Sequence, residues 1–150
     1  MARSLNTLVK VRAWDVDGKR RALGVLLRRL DDLEASAIAL EAGLRDEQRI
    51  AADSPGEAGF LYGAYARAVI ERRETLARAV VQVEAEIAVA REELREAYRE
   101  LKKFEVTRDN RLEREARERN RVEQIELDEI AIEGHRRKTR LQRPGSRGGG

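Results

Sequence analysis

Cysteine is absent from this 150-residue chain, which excludes disulfides and thiolate metal sites and leaves the redox compartment open. Aromatic residues are scarce at 4%, whereas 39% of residues are charged. That balance suits long solvated helices and offers no deep core in which a substrate pocket forms. Histidine occurs once, as His135 beside Gly134 in a basic stretch, a poor setting for catalysis or for a metal site. The adjacent carboxylates Asp31–Asp32 and Asp128–Glu129 diverge by about 100° on a helix and read as surface charge. No glycine-rich phosphate loop and no Gly-x-Ser-x-Gly occurs. Long apolar runs are also missing, from the first residues onward, so neither a signal peptide nor a spanning helix is expected and the cytoplasm is the default. A non-enzymatic protein without cofactor or metal is the expectation.

What is present is two heptad stripes. Leu5, Val9, Arg12, Val16, Lys19, Leu23, Leu26, Leu30, Leu33, Ala37, Leu40 and Leu44 alternate steps of four and three. Val69, Arg73, Leu76, Val80, Val83, Ile87, Ala90, Leu94, Ala97, Leu101 and Phe104 repeat the pattern. Such spacing keeps one seam facing one partner helix. The segment between the stripes, Asp53 to Gly59, is short and turn-rich, so the nearest partner is the other helix, running antiparallel. The fold class is therefore all-α: a long two-helix coiled-coil hairpin.

The hairpin is expected over residues 1–135, with helix 1 at about 5–51, a turn at about 52–57 and helix 2 at about 58–133. Ser4 or Asn6 can cap helix 1, and Ser54-Pro55-Gly56-Glu57 reads as a capping box with proline at the first helical position. Gly18, Gly24 and Gly43 lie inside helix 1 at about 1 kcal/mol each. Either tertiary pairing offsets that cost or another backbone approaches closely. Partners across a turn near residue 55 or 56 have numbers adding to about 111, which places Phe104 opposite the start of helix 1. Continuing the register gives Arg108, Arg111, Glu115 and Glu118, all charged. The apolar seam thus stops where its partner stops, and helix 2 extends beyond helix 1.

Charge divides the chain further. Residues 134–150 hold six Lys/Arg and no Asp/Glu, leaving 25 basic against 28 acidic groups elsewhere; the pI near 9.5 belongs to the tail. Residues 108–121 are dense in alternating charge, suited to a solvated single helix with acid–base pairs four apart. From Val122 to Ile132 apolar residues return: Val122, Ile125 and Ile132 on one arc, Leu127, Ile130 and Ala131 on another. Such a surface is a binding site, or it folds back or dimerises. Residues 136–150 are expected to be a basic disordered tail. A basic cluster binds polyanions, yet this one lacks interleaved aromatics and the rest of the chain is net negative, so no specific nucleic acid is expected. A nucleic-acid-associated or generic scaffold coiled coil is the alternative reading.

The chain resembles the FliJ family of the bacterial flagellar type III export apparatus, over about Leu5 to Ala131. The likeness rests on Leu5-Asn-Thr-Leu-Val-Lys-Val-Arg-Ala-Trp-Asp-Val-Asp17, on Phe60-Leu-Tyr-Gly-Ala-Tyr65, on Tyr98-Arg-Glu-Leu-Lys-Lys-Phe-Glu105, and on the Arg/Glu segment followed by Leu127-Asp-Glu-Ile-Ala131. Injectisome stalk proteins look similar too. The resemblance implies a cytoplasmic stalk or adaptor, peripherally associated with the inner-membrane export apparatus, that links a hexameric export ATPase to an export gate membrane protein and engages export chaperones. By that analogy the ATPase-ring contacts are Leu5, Val9, Trp14, Leu101, Phe104, Val122, Ile125, Ile130 and Ile132. The gate contacts are Leu40, Tyr62, Tyr65, Val69 and Leu76, and the chain departs from the family pattern at Ser36, Gly43 and Glu47. Trp14 either flanks the seam or is an exposed anchor; Tyr62 and Tyr65 either cap the hairpin end or bind a partner.

Overall fold

In a computed structural model, which describes residues 2–53 and 56–142, the chain forms two helices packed against each other: α1, Ala2–Asp53, and α2, Glu57–Gln142. No strand occurs among the described residues, in accord with the all-α hairpin expected from the stripes. The Ser54–Pro55 part of the expected capping box lies outside the described residues, as does the end of the tail, 143–150.

The helices divide into two compact units. One is Leu8–Lys102; the other joins Met1–Thr7 to Lys103–Gly150. Within Leu8–Lys102 the antiparallel register is explicit. Partner numbers add to 110 for Gln48 with Tyr62, 112 for Lys19 with Glu93, and 114 for Glu41 with Arg73. These bracket the expected 111. All members of the first stripe within this unit are buried or half-buried. So are those of the second, apart from Arg73, whose guanidinium turns outward to Glu41. Val9, Val16, Val69, Leu76, Val83, Ile87, Ala90 and Ala97 form the core, and Val83 is fully buried. Burying such a side chain stabilises the fold by about 1.5–3 kcal/mol, so the seam, one layer deep, carries the stability of this unit.

Gly18 and Gly24 have no atom within 4 Å of where a Cβ would project, so no close approach explains them. At Gly43 the close approach is real but comes from a side chain: Tyr65 Oη lies 3.1 Å from a built Cβ.

In the second unit Leu5 is buried and Phe104, Arg108 and Arg111 are half-buried. Every described residue from 117 to 142 is exposed. Helix α2 does not stop at Gly134. It continues to Gln142, into the segment expected to be tail. Glycine weakens a helix without ending it unless the backbone turns left-handed, and no described glycine has positive φ. One local pair spans the weak point, Arg137 with Glu133 at 3.9 Å, and just beyond it Thr139 Oγ1 donates to the His135 carbonyl at 2.9 Å. Arg140 in the last turn complements the helix dipole.

Candidate functional site

Surface chemistry separates three patches. The first lies on the hairpin unit toward the turn. Leu40 and Leu76 line an open cleft of about 310 Å³ together with Ala37, Glu41, Arg73, Ala77 and Val80. Arg73 closes its rim with a two-pronged fork, Nε to Glu41 Oε1 at 2.5 Å and Nη2 to Oε2 at 2.7 Å. That fork, mainly through its hydrogen bonds, holds the Glu41 carboxyl below the usual carboxylate range and raises the arginine. Nearer the turn, Tyr65 lies over Gly43, and Tyr62 Oη accepts a 3.0 Å bond from Gln48 Nε2. Both tyrosines are half-buried, bracing the hairpin end while keeping ring surface accessible. Val69 is buried and contributes to the seam. Of the five residues expected at this surface, Leu40, Tyr62 and Tyr65 thus present part of their surface, whereas Val69 and Leu76 support it from beneath.

The second patch, also on the hairpin unit, contains Trp14. The residue is 67% exposed, so it is not buried against the seam. Val9 is buried and Leu101 half-buried, both as seam members. Arg20 stacks over Tyr98 at 5.1 Å, and Lys19 reaches Glu93 at 3.4 Å. An exposed tryptophan on a paired helix offers an apolar contact.

The third patch is the exposed length of α2 in the other unit. Here Leu5 is buried and Phe104 half-buried, while Val122, Ile125, Ile130 and Ile132 all face solvent. Helicity upstream is supported by Glu113–Arg117 at 2.5 Å and Glu118–Arg121 at 2.6 Å. Hydrogen bonding from Arg121 holds the Glu118 carboxyl below its usual range. Such exposed pairs are solvent-screened and support local helicity more than global stability.

Some exposed apolar residues escaped the reading of the stripes. Ile38, Ile50, Ile70, Val81 and Val89 lie off both seams, and Phe60 and Leu61 project near the turn. Only the Phe60–Tyr65 aromatic cluster carried a signal for the last two. Among the described residues no group of three or more His, Cys, Asp or Glu is arranged to hold a metal, and no helix is long and apolar enough to cross a membrane.

Compared with known proteins, residues 1–140 match the family model described as "Flagellar FliJ protein". No curated protein and no solved structure matches.

Proposed function

Because this chain belongs to the FliJ family, and is thereby a flagellar export-related protein, we propose that it acts as the non-enzymatic stalk that joins a hexameric export ATPase to the membrane-embedded export gate. In this reading the ring is contacted through Trp14 and the exposed α2 residues Val122, Ile125, Ile130 and Ile132, with Leu5, Val9, Leu101 and Phe104 holding the helices in place. The gate is contacted through the surface of Leu40, Tyr62 and Tyr65, underlain by Val69 and Leu76. Export chaperones are further partners, and the protein works in the cytoplasm at the inner membrane.

The observation that carries this reading is the apolar surface of α2 after residue 117, continuous in a helix and exposed throughout. A solvated helix spends nothing on isoleucines unless something covers them. Ring binding desolvates them, and the alternating charge upstream keeps the helix formed in readiness.

The test is stimulation of ATP hydrolysis by the purified export ATPase. Deleting residues 122–150 should abolish it. Deleting 143–150 alone should weaken it slightly, through electrostatic steering that added salt also removes. Tyr62→Ala with Tyr65→Ala should leave stimulation intact and impair binding to the gate's cytoplasmic domain. A full-length protein that neither binds the ring nor changes hydrolysis, but binds random DNA at physiological salt, would replace this reading with the scaffold alternative.

A further inference from the structure

The exposed end of α2 carries a second apolar face, distinct from that of Val122, Ile125 and Ile132. Leu127, Ile130, Gly134, Arg137 and Leu141 advance by three, four, three and four residues, which keeps them within about 80° of arc. Leu127 is 60% exposed, Ile130 67% and Leu141 86%. Ile125 lies about 160° around the helix from Leu127, on the other side. The face therefore forms a short heptad seam of its own, with none of the described residues against it.

Charge along the same helix is polarised. Glu123, Glu126, Asp128, Glu129 and Glu133 occupy one stretch with no basic residue among them; Arg136, Arg137, Lys138 and Arg140 follow with no acid. Laid head to tail against itself, such a segment matches acid with base. Gly134 is the second clue. It sits on the seam, mid-helix, where glycine is unfavourable, and a Cβ there would meet nothing within 4 Å. No contact among the described residues accounts for it, whereas a helix crossing at that point gains close approach from a missing side chain.

We propose that this face binds a second copy of the chain, the two α2 ends pairing antiparallel with Ile130 of each seated on Gly134 of the other. The register places Glu126 beside Arg140 of the second copy, twice by symmetry. It lays Leu127 along the aliphatic stem of the second copy's Arg137. The two Glu133 side chains meet near the centre, where each already has its own Arg137 at 3.9 Å. The seam is short, so the association is weak and concentration-dependent, a reversible pairing that leaves Val122, Ile125 and Ile132 free and competes with ring binding for Ile130 alone.

Sedimentation equilibrium of the full-length protein tests this. The wild type should pass from monomer to dimer as its concentration approaches the millimolar range. Glu126→Arg and Arg140→Glu should each weaken the dimer about tenfold, by turning two attractions into repulsions. Combining them in one chain should restore it. The chain lacks cysteine, so orientation can be read from introduced ones. A mixture of Leu127→Cys and Arg137→Cys proteins should form mixed disulfide dimers, and neither should link to itself. Self-linking of Leu127→Cys would mean parallel pairing and overturn the proposal. So would a protein that stays monomeric, including one that instead sediments with vesicles of anionic lipid, which would give this basic face to a membrane surface. Equal dimerisation by the wild type and both single charge variants would overturn the register.

Discussion

Residues 76–101 and residues 117–142 are both uninterrupted helix, yet different physics keeps them so. The first has a partner helix at a fixed register and buries Val83, Ile87, Ala90 and Ala97. The second buries nothing and relies on propensity, neighbouring ion pairs and continuity with the helix before it. A long helix therefore reports little about stability by itself. What differs is whether unfolding a turn exposes new apolar surface, and after residue 117 it does not.

The sharpest way to break this contrast is to cut one methyl-bearing side chain from each region. Val83→Ala should destabilise the protein by about 2 kcal/mol, because a fully buried side chain leaves a gap in a seam one layer deep. Ile130→Ala should change global stability by no more than about 0.5 kcal/mol, since this side chain is already exposed in the folded chain and its truncation removes little buried surface. Urea melts followed by circular dichroism would measure both. A large loss for Ile130→Ala at low concentration would mean that the α2 end is covered in the isolated chain.

Hydrogen exchange should map the same difference residue by residue. Amides in 23–44 and 76–101 should exchange only with hairpin opening, and those in 117–142 much faster. If both regions are equally protected under dilute conditions, the end of α2 has gained a partner. Protection that rises with protein concentration, in 127–141 alone, is the signature of the self-pairing proposed above.

The hairpin was legible because heptad spacing is a property of residue identities alone. The register followed from the turn position, and Gln48–Tyr62, Lys19–Glu93 and Glu41–Arg73 fall close to it. What was not legible depends on small differences. Gly134 looked like a stop, yet helix continuation there turns on about 1 kcal/mol against local pairs such as Glu133–Arg137. Trp14 lies off the stripe, where either flanking the seam or standing exposed satisfies the pattern; in the structure it is mostly exposed. The residues at the two expected contact surfaces came from family likeness, and periodicity could identify only which of them are held in the seam. Cysteines introduced at positions 16 and 94 should cross-link efficiently and those at 16 and 69 should not, a direct check of the register that every one of these arguments uses.

The smallest expected effect compares two carboxylates whose pKa values move the same way for different structural reasons. Glu41 is lowered chiefly by hydrogen bonding to Arg73 on the opposite helix, and Glu118 by hydrogen bonding to Arg121 on its own. A carboxyl with a lowered folded pKa adds stability above its unfolded value, near 4.5, and that contribution is lost as pH falls through the folded value. Only the Glu41 pair breaks when the hairpin opens. Glu41→Gln should therefore lower the Tm slightly at neutral pH, with the difference from wild type shrinking as the pH drops below about 4.5 and as salt is added. Glu118→Gln should leave the Tm unchanged at every pH and reduce only the helical signal of α2, because its pair forms and breaks within one turn of exposed helix. Thermal melts of both variants at pH 7 and pH 3 would decide it. A pH-dependent Tm difference for Glu118→Gln would show that the exposed end of α2 unfolds together with the hairpin.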